Sequence, residues 1–189
     1  MTTATSSIVT IGYGARSLDE FLDVLGQHGV SYLIDVRRWA RSRYKPEFSR
    51  PSLEPALAER GITYVHMGET LGGIPDDAGS YVEGKVDYER VAESESFRSG
   101  LARLRTIHEK GLPAALMCSE GKPELCHRSK LIGEALAREG IVISHIDPDG
   151  TLVSQPDVML RITGPQLSMG ADLAPPLRSR KKYVPSGSE

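Results

Sequence analysis

The chain has 189 residues, of which 39% are hydrophobic and 25% are charged, and its formal net charge is −2. This length suits one domain with a substantial core, the composition excludes wholesale disorder, and the charge excludes a protein that is basic over its whole surface. A membrane span needs an apolar run of ~20 residues, which the chain lacks, and we expect neither a secretory leader nor a disulfide framework. We therefore expect a cytoplasmic protein of one domain with no membrane partner.

Apolar segments typical of β-strands alternate along the chain with amphipathic helical segments. The predicted strands are residues 8–11, 32–36, 62–67, 113–118 and 141–146. A capping box of Ser17 and Glu20 begins the first predicted helix, and Leu53 and Leu57 mark the second. Residues 87–110 are predicted to form one long or broken helix, and residues 124–139 form another that ends before Gly140.

Strands that alternate with helices predict an α/β fold. We expect a single domain with a parallel, doubly wound (Rossmann-like) sheet of about five strands and helices on both faces. The domain is placed at residues 8–167, with a short strand or helix in 151–167. Residues 1–7 are expected to be flexible, and the tail at 168–189, rich in Pro, Ser and Gly, is expected to be disordered.

Ligands of open α/β sheets bind beyond the carboxyl ends of the strands. Those predicted ends carry Gly12-Tyr13-Gly14, Asp35 with Arg37, His66, Cys118-Ser119-Glu120, and His145. Strand ends are also polar simply because they meet solvent. These residue types can bind ligands or act in catalysis, however, and they favour a functional site at this edge. We predict that Tyr13, Arg37, Cys118, Glu120 and His127 line one cleft.

The segment from Cys118 to Arg128 contains both cysteines of the chain. A helix that begins near Glu124 would place Cys126, His127 and Arg128 in its first turn. Free backbone amides and the helix dipole attract an anion there and lower the pKa of a cysteine. Arg128 would then grip a phosphate or carboxylate in two places. The alternative is a buried core thiol beside a solvated arginine.

The same segment offers one set of metal ligands, Cys118, Cys126 and His127. Neighbouring side chains on a helix diverge by about 100°, so Cys126 and His127 should point apart. The spacing also lacks the paired ligands of structural zinc sites. We therefore expect no cofactor, and a metal ion on these three residues is not favoured.

Residues 37–50 carry six basic side chains and one acidic side chain. Trp39, Tyr44 and Phe48 lie among them, and such rings stack on bases while cations hold phosphates. Charged loops are usually only solvated, but so much positive charge beside the predicted site favours an anionic ligand. Asp35 is a candidate general base, or it pairs with Arg37 or another arginine.

These segments occur in the order that is typical of one known family. They are Thr10-Ile-Gly-Tyr13, Ser17 with Phe21, Asp35-Val-Arg37, Arg43 with Pro46 and Phe48, Gly61-Ile-Xaa-Tyr64, Leu71-Gly-Gly73, and Cys118-Xaa-Glu120 leading to Cys126-His-Arg128. Over about residues 8–146 the chain resembles the domain of unknown function family 488. The resemblance implies a compact bacterial α/β domain with a shared site, without naming a reaction.

Three hypotheses for the function follow from these residues. The first is an enzyme that acts on an anionic substrate, which is phosphorylated, nucleotide-like or a nucleic acid. Its catalytic candidates are Cys118, Glu120, Cys126, His127 and Asp35, and its substrate-binding candidates are Tyr13, Arg37, Arg43, Lys45 and Arg128. The second is a non-catalytic nucleic-acid-binding module that uses residues 37–50 and the basic run 178–182. The third is a thiol-based metal or redox protein in which the two cysteines ligate or pair.

Overall fold

The structure, a computed structural model, describes residues 8–164 and 176–183. A mostly parallel sheet of six strands forms their centre. Its strands are β1 (Ile8–Gly12), β2 (Tyr32–Asp35), β3 (Thr63–His66), β6 (Ala114–Cys118), β7 (Ser144–Ile146) and β8 (Leu152–Ser154). The strand order is β3-β2-β6-β1-β7-β8, and only β8 runs antiparallel to its neighbour. A separate hairpin consists of β4 (Tyr81–Val82) and β5 (Lys85–Val86).

Helices cover both faces of this sheet, so the predicted α/β, doubly wound architecture is confirmed. The α-helices of the described residues are α1 (Leu18–Gln27), α2 (Arg50–Glu59), α3 (Gly68–Leu71), α4 (Tyr88–Glu93), α5 (Glu95–Glu109), α6 (Glu134–Arg138) and α7 (Gln155–Thr163). Apolar residues of α1 and α2 pack on one face, and those of α4, α5 and α6 pack on the other. None of these helices is both long enough and apolar enough to cross a membrane.

Side-chain caps determine where several helices begin. Ser17 and Glu20 form the expected capping box, in which the Ser17 amide donates to Glu20 Oε2 (2.7 Å) and the Glu20 amide donates to Ser17 Oγ (3.2 Å). The predicted helix at 87–110 is broken. Asp87 caps α4, and Ser94 accepts a hydrogen bond from the Phe97 amide to begin α5.

The sheet extends one strand beyond the prediction. Residues 151–167 were expected to hold a short strand or a helix, and they contain both β8 and α7, with residues 165–167 outside the described part. β8 pairs with β7 from Ser144 opposite Ser154 to Ile146 opposite Leu152. A three-residue strand is too short to show a clear alternation of apolar and polar side chains, and pairing with β7 defines it.

The expected disorder of the tail is wrong for residues 176–183. This segment lies along the β4–β5 hairpin, where the Ser179 amide donates to the Val86 carbonyl (2.9 Å) and the Tyr183 amide donates to the Gly84 carbonyl (2.7 Å). Leu177 and Tyr183 also pack against the core. The expected flexibility of 1–7 and the rest of the tail, 168–175 and 184–189, lie outside the described residues.

The topology creates a crevice at the carboxyl end of β6. β6 lies between β1 and β2, whose following helices cover one face, while the helical segment after β6 covers the other face. The chain therefore leaves the sheet in opposite directions from neighbouring strands. Ligands of open α/β sheets bind in such crevices. The strand ends that meet here are Gly12, Asp35 and Cys118.

Candidate active site

A cleft of about 270 Å³ opens at this crevice. All five residues that were predicted to share a cleft line it: Tyr13, Arg37, Cys118, Glu120 and His127. The phenol ring of Tyr13 stacks on Phe48, with ring centroids 4.3 Å apart, and the Tyr13 hydroxyl donates to Ser42 Oγ at 3.2 Å. The predicted gathering of these side chains at one edge of the sheet is therefore confirmed.

Two thiols and one imidazole, which we call the thiol–imidazole cluster, lie together in this cleft. His127 Nδ1 is 3.8 Å from the sulfur of Cys118 and 3.7 Å from that of Cys126, and all three residues are buried. The other ring nitrogen, Nε2, lies 3.3 Å from the Val36 carbonyl oxygen. Since a carbonyl only accepts, Nε2 carries the proton, and in the neutral ring Nδ1 is an acceptor that faces both sulfurs.

Cys126 and His127 converge because the helical segment after β6 begins at Arg128, not near Glu124 as predicted. Pro123–Leu125 is a 3₁₀ turn, Cys126 is extended (φ −114°, ψ 151°), and a π-helical segment, Arg128–Gly133, leads into α6. The change of backbone conformation at Cys126 turns its side chain toward that of its neighbour. The two side chains therefore do not diverge as predicted, and Cys126 does not lie in the first turn of a helix.

The two cysteines differ in their readiness to lose a proton. Hydrogen bonding with Cys126 lowers the pKa of Cys118 well below its ordinary value although burial opposes this, and His127 and the Glu120 amide act in the same direction as Cys126. Burial raises the pKa of Cys126, and the neighbouring Cys118 raises it further. Cys118 is thus the more acidic of the pair, and it is the residue in which we expect thiolate character.

Cationic side chains surround the thiol–imidazole cluster. Arg37, Arg38, Arg41, Arg180 and Lys181 line the cleft, against Glu120 as the one acidic side chain among the lining residues that the structure describes. Arg38 pairs with Asp76, and Arg180 pairs with Glu120 at 3.1 Å. Arg41 and Lys181 have no carboxylate partner within residues 8–164 and 176–183. The cleft therefore presents unpaired positive charge to an incoming ligand.

The chain shares this site region with a known family. The model of a domain of unknown function, DUF488, matches residues 17–135. The chain belongs to the DUF488 family. The match includes the whole thiol–imidazole cluster and Arg37, and it ends before Arg180 and Lys181. No curated protein and no solved structure matches the chain.

Asp35 of this DUF488 protein forms the ion pair that was one of its two predicted roles. Its oxygens accept from Arg37 Nε (2.8 Å) and Nη2 (2.6 Å), and from the Tyr64 hydroxyl (2.7 Å). Burial disfavours the charge of Arg37, but the hydrogen bonds and charge of Asp35 raise the pKa of Arg37 above its ordinary value. Because Asp35 is fully buried and bonded on both oxygens, this position does not support a role as general base.

Arg128 does not line the cleft, and its side chain joins the loop after β6 to β1. Its side chain is fully buried, and Nη2 donates to the carbonyl oxygens of Glu120 (3.2 Å) and Gly121 (2.7 Å). Nη1 donates to Thr10 Oγ1 at 3.0 Å. These contacts replace the anion-binding role expected of Arg128, because its guanidinium is directed to the loop after β6 and to β1.

Two further predicted binding residues, Arg43 and Lys45, and two histidines of the predicted strand ends, His66 and His145, do not line the cleft. Arg43 is exposed, and the ammonium group of Lys45 donates to the Arg16 carbonyl and lies over the ring of Phe48. His66 Nε2 contacts the Arg37 carbonyl oxygen at 3.0 Å. His145 is buried between Thr10 and Gln155. The structure therefore does not bring these four side chains to the thiol–imidazole cluster.

Several cleft residues were missed at the sequence level. Arg38 and Arg41 belong to the basic stretch 37–50, but no local signal separates them from Arg43 and Lys45, whereas Trp39 was already singled out as a stacking ring. Arg180 and Lys181 belong to the basic run 178–182, which was assigned only to nucleic-acid binding. Their place in the cleft depends on backbone hydrogen bonds from 176–183 to the distant β4–β5 hairpin.

Two glycines, Gly12 and Gly73, allow close approaches of the backbone at the site. A Cβ atom on Gly12 would lie 1.7 Å from the Glu120 carbonyl oxygen, and one on Gly73 would lie 2.6 Å from Cγ of His127. Gly12 therefore lets the loop after β6 approach β1, and Gly73 lets the backbone contact the imidazole face. Only glycine fits such close approaches of the backbone.

Proposed function

We propose that the protein is an enzyme that acts through Cys118 on an anionic substrate of the phosphorylated or nucleotide-like class. One observation carries this proposal: the thiol–imidazole cluster lies in a cleft that five cationic side chains line. A buried thiol with only a packing role has no need of surrounding charge. Clefts that combine perturbed titratable groups with convergent polar groups are typical of active sites.

The charges of the cleft support a phosphate-bearing substrate. Arg37 is fixed by its bidentate contact with Asp35, so its position is set before any ligand binds. Arg41 and Lys181, which have no carboxylate partner in the described residues, are the side chains that can take up ligand oxygens. Arginine binds phosphate in two places and lysine binds it as a point charge. This arrangement favours a ligand with more than one negative charge.

An exposed aromatic ring supports the nucleotide-like class. Trp39 lines the cleft and is 63% exposed, although large rings usually bury most of their surface. A flat ring beside cations stacks on a base or another planar group while the cations hold phosphate. Trp39 would therefore orient the planar end of the substrate, and Arg41 and Lys181 its charged end.

The proposed reaction begins with proton transfer from the Cys118 thiol to His127 Nδ1. The sulfur then forms a bond to an electrophilic carbon or phosphorus of the substrate, and the bond to the leaving group breaks. The leaving group departs with the electron pair and takes the proton from the imidazolium. Water cleaves the adduct and restores the thiol. Glu120 has a positioning role, because it holds Arg180 beside the cleft at 3.1 Å.

The proposal is tested by screening nucleotides and phosphorylated metabolites for an increase in melting temperature, and then by assaying each binder for turnover. We expect at least one phosphorylated compound to stabilise the protein. The Cys118→Ser variant should bind it with similar affinity and lose turnover. Turnover that survives in Cys118→Ser, or a screen in which no anionic compound stabilises the protein, would contradict the proposal.

A non-catalytic nucleic-acid-binding function is the second candidate, and one observation favours it. Tyr44 is 91% exposed and lies between Arg43 and Lys45, close in sequence to the exposed Trp39. Aromatic rings among cations bind single strands by stacking and by phosphate contacts. This function predicts that affinity for a single-stranded oligonucleotide falls steeply with salt and is unchanged in Cys118→Ser. An oligonucleotide that does not bind at low salt would exclude it.

A further inference from the structure

We propose that Cys118, Cys126 and His127 form a binding site for a thiophilic divalent metal ion of the zinc class, with one coordination position left open toward the cleft. Metal binding by these residues does not depend on the substrate proposed above. One consequence of it, the masking of the Cys118 thiol by the metal ion, does rest on that proposed function.

The distances between the donor atoms suit one small metal ion. The two sulfurs and Nδ1 all lie within 4.8 Å of one another, and Nδ1 is 3.8 Å from Cys118 and 3.7 Å from Cys126. Zinc binds sulfur at ~2.3 Å and nitrogen at ~2.0–2.1 Å, so the two atoms of a tetrahedral S–Zn–N pair are roughly 3.5 Å apart. Small rotations of the side chains would bring the three donors to that spacing.

The surroundings of His127 prepare its ring for a metal ion. Nε2 donates to the Val36 carbonyl, which leaves the lone pair of Nδ1 directed at the two sulfurs. Gly73 contacts the ring so closely that a Cβ atom there would lie 2.6 Å from Cγ, and this restricts the ring's rotation. A histidine ligand usually donates its second ring N–H to a carbonyl or carboxylate in this way, which fixes both its tautomer and its orientation.

The number of ligands and their place indicate an open site. Within the described chain, no further His, Cys, Asp or Glu side chain joins this group of donors. Structural zinc sites are closed by four protein ligands, whereas catalytic sites have three and hold water or substrate at the fourth position. All three donors line the cleft, so the fourth position faces the cationic side chains. An anion bound there would contact both the metal ion and Arg41 or Lys181.

Metal binding would regulate the thiol chemistry of the same residues. A metal ion needs both cysteines as thiolates, and the electron pair of the Cys118 sulfur is then engaged with the metal. A metal ion and an electrophilic substrate therefore compete for Cys118. The metal-bound form should resist alkylation of Cys118, and removal of the metal ion should restore it.

The test uses full-length protein that has been dialysed against a chelator and kept reduced, to which Co²⁺ is added. We expect one equivalent of Co²⁺ to produce the visible and near-ultraviolet bands of tetrahedral cobalt bound to thiolate, and one equivalent of Zn²⁺ to abolish them. Cys118→Ser, Cys126→Ser and His127→Ala should each weaken Zn²⁺ binding by at least about tenfold, since loss of a ligand's supporting contact alone costs 10–100-fold. His28→Ala, at a histidine that hydrogen-bonds the Gly150 carbonyl away from the cluster, is the matched control and should bind as the parent does.

Each result decides one of the two proposals. Absence of stoichiometric cobalt bands in the parent, or unchanged Zn²⁺ binding in both serine variants, would overturn the metal site. If a variant loses its fold, which its far-ultraviolet circular dichroism would show, protection of Cys118 from iodoacetamide by Zn²⁺ in the parent decides instead, and equal alkylation with and without Zn²⁺ would overturn the site. The proposed enzyme function is judged separately, by phosphorylated-ligand binding and turnover of the metal-free protein.

Discussion

Arg128 Nη1 donates a hydrogen bond to Thr10 Oγ1 across 3.0 Å, and this contact joins the helical segment after β6 to the middle of β1. Thr10 Oγ1 is also 2.7 Å from Nδ1 of His145, and His145 Nε2 is 2.6 Å from Gln155 Oε1. These polar groups thus form one buried hydrogen-bonded series from the loop after β6 to β7 and α7. Arg128 also donates to the carbonyl oxygens of Glu120 and Gly121, in the loop after β6. The positions of Cys118 and Glu120 therefore depend on this hydrogen-bonded series.

Replacing Arg128 by Lys should destabilise the fold. A lysine keeps the charge but cannot reach Thr10 and the carbonyls of Glu120 and Gly121 together. Because hydrogen bonds from charged groups contribute ~1.5–3 kcal/mol each, we expect the free energy of unfolding in urea to fall by at least about 2 kcal/mol. Arg98→Lys, at an exposed position of α5, is the control and should change it by less than ~0.5 kcal/mol. Equal stability of the two variants would contradict the structural role of Arg128.

His145 should make stability depend on pH in a defined window. Burial lowers the pKa of His145 to about 4, whereas an unfolded histidine has a pKa of ~6.5. Between these values the unfolded chain binds more protons, so the free energy of unfolding rises with pH and is at its full value above ~6.5. We expect the free energy of unfolding to rise by on the order of 3 kcal/mol over this window, because one pKa unit corresponds to ~1.4 kcal/mol. Urea unfolding of the parent and of His145→Asn from pH 4 to 7.5 measures it, and parallel curves would refute the prediction.

Asp35 should be needed for folding. Asp35→Asn leaves the buried guanidinium of Arg37 without its counter-charge, and breaking a buried pair in this way costs ~3–5 kcal/mol. Tyr64→Phe removes a single hydrogen bond to the same carboxylate, for which we expect a loss of ~1–2 kcal/mol. Chemical denaturation of the parent and of both variants measures these losses. An Asp35→Asn variant that retains full stability but loses turnover would restore the role of general base.

The approach of the loop after β6 to β1 should not tolerate a side chain at Gly12. Gly12→Ala places a Cβ atom 1.7 Å from a backbone oxygen, and a backbone cannot move away as a flexible side chain can. We expect a loss of about 3 kcal/mol, at the upper end of the typical cost of overpacking a core. Gly26→Ala in α1, where a Cβ atom would meet nothing within 4 Å, should be neutral or stabilise by up to ~1 kcal/mol. The melting temperatures of the two variants check this, and similar values would be the contrary result.

The parts of the fold that were predicted from the sequence are those that local patterns encode. The capping box of Ser17 and Glu20 and the apolar strands depend on residues a few positions apart, whereas the segment 87–110 was predicted only as one long or broken helix and the structure locates the break at Ser94. The ion pair of Asp35 and Arg37, two residues apart, was likewise one of two predicted roles. Because parallel strands end at one edge of the sheet, these elements were enough to place Cys118 near Arg37.

The parts that were not predicted depend on one backbone angle or on distant contacts. The convergence of Cys126 and His127 follows from the extended conformation of Cys126 after the 3₁₀ turn at Pro123, which a helical hydrophobic pattern does not reveal. The burial of Arg128 depends on hydrogen-bond acceptors on β1 and on the loop after β6. The place of Lys181 in the cleft depends on pairing between residues that are 93 positions apart, Ser179 and Val86.

Alkylation with a charged and a neutral reagent tests most directly whether Cys118 is a reactive thiolate in a cationic cleft. The rate constants for iodoacetate and iodoacetamide at Cys118, resolved by mass spectrometry of metal-free protein, are compared with those of the same thiol in urea. We predict that the iodoacetate-to-iodoacetamide ratio is higher in the folded protein. Arg41→Ala and Lys181→Ala should each lower it about threefold to tenfold, since a nearby charge contributes on the order of 1 kcal/mol. Lys182→Ala, beside the cleft but not lining it, should leave the ratio unchanged. A ratio equal to that of the unfolded chain, or one that Arg41→Ala and Lys181→Ala do not alter, would contradict the account.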